Sequence, residues 1–223
     1  MNTPPTGPQP ISLKKHETVL FIGGIRSGKS RAALVAAIAH SRATQCPSLF
    51  VATGHAADEE MKSRINRHRD ERPESWETWE TTDLVGALHA APPDRLFLAD
   101  CLGGWATALL TQTEEEEEEE RRDGTTLPPD INSQKKSYKT NFFKDAPATN
   151  TQAETARLAH ALTQRTAVAQ APTLIVTNEV GLSLVPLTPL GRRFSDLLGE
   201  ANQAVSTSCH RVLFFVAGRY IAL

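Results

Sequence analysis

Five short apolar runs are spaced along the chain, and stretches with the apolar spacing of helices lie between them. The runs cover residues 19–22, 49–52, 95–100, 173–177 and 212–216. The first helical stretch begins after residue 30, and the other four cover residues 58–72, 104–111, 152–170 and 189–208. Continuous apolar strands alternating with helices are typical of a parallel sheet that is buried on both faces. We therefore predict an α/β fold with a mainly parallel sheet and helices on both faces.

Two segments interrupt this alternation. Residues 1–16 are rich in proline, and we predict a flexible leader there, followed by a single domain over residues 17–223. Residues 113–150 contain seven consecutive glutamates and few apolar side chains, which predicts a mobile insertion. The glutamates would serve either as a solvated, mutually repelling run or as a metal site, and runs of this kind are usually solvated.

Composition narrows the class of protein. Hydrophobic residues make up 39% of the chain, and the formal net charge of −2 predicts binding to neither nucleic acid nor an anionic membrane. No apolar run reaches the roughly 20 residues that a membrane span needs. The three cysteines, at positions 46, 101 and 209, are too scattered for a disulfide framework. They favour reduced thiols in the cytoplasm.

The first apolar run leads into the sequence GGIRSGKS, which fills the pattern G-x-x-x-x-G-K-S. Such a loop directs backbone N–H groups at phosphate oxygens, while the lysine neutralises the outer phosphates and the serine hydroxyl binds Mg²⁺. The alternative is a glycine-rich turn between a strand and a helix that binds nothing. The flanking strand and helix favour a P-loop NTPase-like fold. The predicted nucleotide-binding residues are Gly23, Gly24, Ile25, Arg26, Ser27, Gly28, Lys29 and Ser30.

For two further residues, the sequence pattern allows either a functional or an ordinary structural role. Asp100 closes an apolar strand, where it would serve either as a second Mg²⁺ ligand or as an ordinary residue of a turn. His68 lies in a stretch crowded with charged residues and would be either catalytic or a solvated histidine. The pattern of residues alone does not decide either case.

Four blocks of sequence carry a family resemblance. They are FIGGIRSGKSR, the block VATGHAADEEMKSRINRHRDERPESWETWE, LFLADCLGGW, and LIVTNEVGLSLVPLTPLGRRFSDLLGEANQAVS. In these blocks the chain resembles the bifunctional adenosylcobinamide kinases/adenosylcobinamide-phosphate guanylyltransferases of cobalamin biosynthesis. The resemblance covers most of residues 19–217, apart from the insertion.

The resemblance implies two reactions. ATP or GTP phosphorylates adenosylcobinamide, and GTP then donates GMP to the product through a guanylyl-histidine, which gives adenosyl-GDP-cobinamide. The histidine maps onto His68, with Lys29 as the second catalytic residue. Mg²⁺ would be bound by Ser30 and Asp100, and the family assembles as a homotrimer. Its further nucleotide contacts map onto Thr53, Gly54, His55, Arg69, Asp70, Glu71, Glu80 and Asp100.

Two other functions fit the same residues. The first is a P-loop kinase of a small metabolite without guanylyltransferase activity. The second is a non-enzymatic GTP-binding protein, against which stands the lack of an Asn-Lys-x-Asp motif. The last residues, 218–223, differ from the family's usual ending, and we expect them to be poorly ordered.

Overall fold

A computed structural model describes residues 11–54, 72–122 and 148–223. Its strands are β1 (Thr18–Gly23), β2 (Ser48–Ala52), β3 (Glu77–Glu80), β4 (Leu96–Asp100), β5 (Thr173–Asn178), β6 (Arg211–Val216) and β7 (Arg219–Ala222). Its helices are α1 (Lys29–Thr44), α2 (Leu84–Ala90), α3 (Leu102–Arg122), α4 (Ala148–Val168) and α5 (Pro189–Ser206). The helix predicted over residues 58–72 lies almost wholly outside the described residues. Within the described ranges, no helix is long and apolar enough to cross a bilayer.

The strands form one sheet in the order β3-β2-β4-β5-β1-β6-β7. All neighbouring pairs are parallel except β6 and β7, which are antiparallel. β1 lies between β5 and β6, so its two neighbours come from distant parts of the chain. Because parallel strands all end at one edge, this arrangement gathers the loops after β1, β2, β4 and β5 on the carboxyl side of the sheet.

A hydrophobic cluster covers each face of the sheet. On one face, α1 packs against side chains such as Phe21 and Leu98, which are buried. On the other face, α2, α3, α4 and α5 pack against residues such as Leu20 and Phe97. Helices therefore lie on both faces, and the predicted α/β fold with a mainly parallel sheet is confirmed. The continuous apolar runs of the strands follow from this double burial.

The leader prediction is wrong for residues 11–16. Ile11 and Leu13 are buried in the cluster on the α1 face. Arg211 donates from Nη2 to the carbonyl of Ser12 at 2.9 Å and forms an ion pair with Glu17, with Nε and Oε1 2.7 Å apart. Two apolar side chains and a half-buried ion pair thus fix residues 11–16, the part of the predicted leader that contains no proline.

Helix α3 is longer than the pattern of apolar residues predicts. The sequence predicts its end near residue 111, but it continues to Arg122 and includes the seven glutamates. Glutamate is a good helix former, so a preceding packed helix is readily extended through such a run despite its polarity. The part of the predicted insertion at residues 123–147 lies outside the described residues.

The last residues are ordered, contrary to the prediction. β7 pairs with β6, with Phe215 opposite Tyr220 and Val216 opposite Arg219. The aromatic rings of Phe215 and Tyr220 lie 5.5 Å apart. Two other short elements, β3 and α2, were also not predicted. In α2 the Asp83 side chain accepts from the Gly86 N–H and caps the helix.

A buried arginine joins three parts of the amino edge of the sheet. Arg165 on α4 is only 3% exposed and lies 4.7 Å from the centre of the Phe97 ring. Its guanidinium donates to the carbonyls of Ala91 and Arg95, both at 3.0 Å, and to Thr173 Oγ1 at 3.2 Å. Burial lowers the pKa of Arg165 to about 10, so the guanidinium stays charged at neutral pH.

We expect Arg165→Met to lower the free energy of unfolding by about 3 kcal/mol, because it leaves buried carbonyls without their donor. Urea unfolding measures the change. The control is Arg157→Met on the same helix, whose largely exposed side chain pairs with Glu154. Loss of that pair should cost less than about 1 kcal/mol. Equal effects of the two substitutions would contradict the structural role of Arg165.

Candidate functional site: a phosphate-binding loop at the carboxyl edge

The loop between β1 and α1 is closed by its own backbone. The Ser27 N–H donates to the Gly24 carbonyl at 3.2 Å, and the Ala32 N–H donates to the Gly28 carbonyl at 2.9 Å. Gly28 has a φ of 93°, a left-handed conformation that glycine adopts without steric cost. Arg26 also has a positive φ of 58°. The predicted phosphate-binding residues therefore form one tight turn ahead of the N-terminus of α1.

The end of β6 and the turn between β6 and β7 pack against this loop. The Gly218 N–H donates to the Ser27 carbonyl at 2.9 Å. A Cβ atom on Gly28 would lie 3.3 Å from the Cα atom of Gly218, and one on Gly23 would lie 2.5 Å from the Phe215 carbonyl oxygen. The glycines thus permit backbone-to-backbone packing as well as the turn itself. Sequence reasoning missed this contact because it assigned no structure to the last residues.

Lys29, the first residue of α1, is 6% exposed, and its Nζ donates to the Gly24 carbonyl at 3.2 Å. Burial lowers the pKa of Lys29, while Cys101 and Asp100 act in the opposite direction. Burial raises the pKa of the Cys101 thiol, so the thiol stays uncharged at neutral pH. The loop therefore holds a poorly hydrated cation close to the position where phosphates would bind.

Asp100 reaches the loop across the neighbouring strand. It closes β4, and β5 lies between β4 and β1. The Ser30 hydroxyl donates to Asp100 Oδ1 at 3.2 Å. The structure thus brings together two oxygen-bearing side chains that are 70 positions apart in the sequence. The contact places Asp100 against the loop, and its role as a Mg²⁺ ligand stays a prediction.

Thr53, which follows β2, is almost fully buried. Its N–H donates to the Asp100 carbonyl at 3.3 Å, and its hydroxyl donates to the Cys101 carbonyl. Both polar groups are directed at the backbone on either side of the Asp100–Cys101 peptide bond, which is cis. Thr53 therefore positions the segment that carries Asp100, while Gly54 beside it is exposed.

Glu80 lies at the same edge of the sheet but far from the loop. It ends β3 and is in register with Ala52 of β2. Four strand spacings separate β3 from β1, which is about 19 Å. Glu80 and the P-loop would meet only through an extended ligand that spans the edge.

The end of β5 contains a hydrogen-bond network that the sequence did not reveal. Asn202 on α5 accepts from the Thr177 hydroxyl at 2.6 Å and donates to the Asn178 carbonyl at 2.9 Å. The Glu179 N–H donates to the Gly23 carbonyl at 3.0 Å. This network ties the end of β5 to the first residue of the P-loop. The available signal was the fourth block of the resemblance, which contains these residues without assigning them a role.

Comparison with known proteins identifies the family. The family model described as cobinamide kinase/cobinamide phosphate guanyltransferase matches residues 19–223. The chain belongs to this family. It is therefore a transferase of cobalamin biosynthesis, and the predicted enzyme class is confirmed.

Curated relatives agree with this family. The bifunctional adenosylcobalamin biosynthesis protein CobU of Escherichia coli is 31% identical over 90% of this chain and 96% of its own length. The corresponding protein CobP of Pseudomonas aeruginosa is 32% identical, over 89% of this chain and 92% of its own length. Among solved structures, the RadB recombinase aligns with 90% of this chain and 74% of that chain, at 13% identity and a TM-score of 0.43.

Several residues that the family resemblance singles out lie outside the described residues. These are His55, His68, Arg69, Asp70 and Glu71. The chain is described again from Arg72, whose guanidinium lies 3.6 Å from the centre of the Phe50 ring of β2. Thr53 directly follows β2, and Arg72 contacts Phe50 of β2. The described residues on both sides of this stretch therefore lie beside the same strand.

We expect Gly23→Ala to lower the free energy of unfolding by about 2 kcal/mol and to weaken nucleotide binding, because the new methyl group would lie 2.5 Å from the Phe215 carbonyl oxygen of β6 and 2.8 Å from Ser27 Oγ of the loop. Thermal unfolding and calorimetric titration with GTP measure the two effects. The control is Gly199→Ala in α5, where a Cβ atom meets nothing within 4 Å. That substitution should stabilise the helix by roughly 0.5–1 kcal/mol. A Gly23→Ala protein as stable as the wild type would exclude the packing role.

Proposed function

We propose that one site on this chain performs both reactions of its family. In the first, the hydroxyl oxygen of adenosylcobinamide attacks the γ-phosphorus of ATP or GTP, loses its proton, and the nucleoside diphosphate leaves. In the second, a nitrogen of His68 attacks the α-phosphorus of GTP and pyrophosphate leaves. An oxygen of adenosylcobinamide phosphate then displaces His68 and forms adenosyl-GDP-cobinamide. The observation that carries the proposal is the P-loop with buried Lys29, in a chain matched over residues 19–223 by the family model.

The loop supplies positioning and charge for both steps. Its N–H groups and the N-terminus of α1 favour a bound anion. The buried Lys29 ammonium is poorly hydrated, so its attraction to phosphate oxygens is stronger than in water. Such preorganised charge stabilises the negative charge that develops during phosphoryl transfer. Because burial disfavours the charged lysine, a bound polyphosphate would also raise its pKa back toward the ordinary value.

The residues at the loop fit a magnesium ion. Ser30 and Asp100 provide a hydroxyl and a carboxylate in contact, and hard oxygen donors of this kind suit Mg²⁺. Mg²⁺ typically takes few protein ligands together with phosphate oxygens and water. When bound, Mg²⁺ would neutralise charge on the transferred phosphates.

The covalent role of His68 is supported by its place in the chain. The stretch that contains it begins after Thr53, which is bonded to the backbone next to Asp100. Four residues after His68, Arg72 stacks on Phe50 of β2. The described residues on both sides of the stretch thus lie beside β2, whose Ala52 is in register with Asp100. An imidazole suits this step, because its neutral nitrogen is a nucleophile and the resulting phosphoramidate still transfers GMP.

We further propose a homotrimer in the cytoplasm, as the family resemblance implies. The three cysteines are free thiols in this structure, which is consistent with a reducing compartment. The proposed substrates are ATP or GTP and the corrinoid. Nucleic acid and membranes are not proposed as partners, in keeping with the small net charge.

Lys29→Ala should abolish both transfer reactions while the protein remains folded. Removal of the cation leaves the phosphate charges uncompensated, and we expect each rate to fall by roughly 100-fold or more. Assays with adenosylcobinamide and with adenosylcobinamide phosphate measure the two rates separately. Circular dichroism verifies the fold. If either rate stays within about tenfold of the wild type, that reaction does not use this loop.

His68→Ala should separate the two activities. We expect it to abolish transfer of GMP and covalent labelling by α-labelled GTP, while phosphorylation of adenosylcobinamide is at least partly retained. The wild-type adduct should carry label from α-labelled GTP but not from γ-labelled GTP, and it should be labile to acid and stable to alkali. The matched control is His89→Ala on α2, whose imidazole contacts Gln164 at 3.0 Å away from the loop.

Continued labelling of the His68→Ala protein, or an adduct on His55 or Lys29, would exclude His68 as the nucleophile. A wild-type protein that phosphorylates adenosylcobinamide without ever acquiring label would instead be a kinase alone.

A further inference from the structure

We propose that an exposed apolar segment beside the P-loop binds the corrinoid acceptor. The segment, residues 181–190, runs from the loop after β5 into the first two residues of α5, and we call it the acceptor strap. The proposal rests on the proposed function, since it assigns the binding surface for the second substrate of that site. It is supported by the exposure of the strap, by its rigidity and by its position.

The strap exposes an unusual amount of apolar surface. Leu182, Leu184, Val185 and Leu187 are between 76% and 96% exposed, all within six positions of the chain. Single exposed leucines are common on protein surfaces, but a contiguous group marks a binding surface. The strap sequence GLSLVPLTPL contains no ionisable side chain. Its ligand is therefore expected to present neutral, largely apolar surface.

The strap is held in shape by polar contacts with its own backbone. The Glu179 carboxylate accepts from the N–H groups of Gly181 at 2.7 Å and Leu182 at 3.1 Å. The Ser183 hydroxyl donates to the Val180 carbonyl at 2.7 Å. At the far end, Arg192 donates to the carbonyls of Pro186 and Leu187, both at 3.0 Å. The apolar side chains are thus exposed on an ordered scaffold, which reduces the entropy lost when a ligand binds.

Position links the strap to the phosphate-binding loop. Glu179 holds the start of the strap through its carboxylate, and its own N–H donates to the carbonyl of Gly23, the first residue of the P-loop. The strap therefore leaves the sheet at the carboxyl edge, directly beside the loop. A molecule bound to it would lie next to the phosphates of a nucleotide held by Lys29 and Ser30.

The corrinoid fits this surface better than the nucleotide does. The nucleotide presents charged phosphates, which the loop already receives, whereas the strap contains no charged group. A corrinoid has a broad rim of methyl groups and neutral amide arms, which needs apolar contact over a wide area. A second copy of this chain is the other occupant to consider, and the experiment distinguishes it from the acceptor.

The test is the double substitution Leu184→Ser and Leu187→Ser. Both side chains are more than 90% exposed, so the protein should fold normally, as its melting temperature verifies. We expect KM for adenosylcobinamide, and the dissociation constant of cobinamide in equilibrium dialysis, to rise about tenfold or more. Labelling of the enzyme by α-labelled GTP needs no acceptor and should match that of the wild type.

The matched control is Val168→Ser at the end of α4. Val168 is 64% exposed, and it precedes Gln170, whose N–H bonds to Pro93 at the amino edge of the sheet. This control should leave both acceptor constants unchanged.

Two results would overturn the proposal. One is acceptor binding by the double variant that equals the wild type. The other is a change of sedimentation coefficient in the double variant, which would assign the strap to contact between copies of the chain. The proposed function fails separately, if the wild type transfers no phosphate to adenosylcobinamide, and cobinamide dialysis still tests the strap in that case.

Discussion

The buried ammonium of Lys29 is the constraint on which the site depends. Its burial lowers its pKa, so the surrounding structure must keep the charge favourable until a phosphate binds. The Gly24 carbonyl accepts from it, and the Asp100 carboxylate provides an opposite charge nearby. Each of these groups is in turn fixed by another element. The Gly24 carbonyl belongs to the loop backed by Gly218, and Asp100 is bonded to Ser30.

Sequence alone predicted the features that depend on local pattern. The P-loop was found because it needs glycines and a lysine at fixed spacing, and the main strands because both of their faces are buried. The limits of the prediction are also physical. β7 has only four residues, mixed in polarity, and it exists because β6 and the aromatic pair of Phe215 and Tyr220 support it. Ile11 and Leu13 are buried by contacts that no pattern within residues 1–16 reveals.

In the candidate site too, some features follow from the sequence pattern and others depend on contacts between distant elements. The sequence placed Asp100 at the end of a strand and left its role open, and the structure puts it in contact with Ser30 because the carboxyl ends of nearby parallel strands meet at one edge. The positioning role of Thr53 was not, because it depends on hydrogen bonds to the backbone after β4. The roles of Asn202 and Glu179 likewise arise only when α5 and the strap are placed on β5. The role of His68 stays a prediction from the family resemblance, because His68 lies outside the described residues.

The position of β1 in the sheet has a consequence for synthesis in the cell. β1 is made early, but both strands that flank it, β5 and β6, come from residues 173–216. The turn that supports the P-loop comes later still, at Gly218. A ribosome extends the chain by only about 5–20 residues each second. Strands β5 and β6 are therefore synthesised roughly ten seconds or more after β1. During that interval the nascent chain has no complete nucleotide site, and its first strand lacks the two strands that later pair with it.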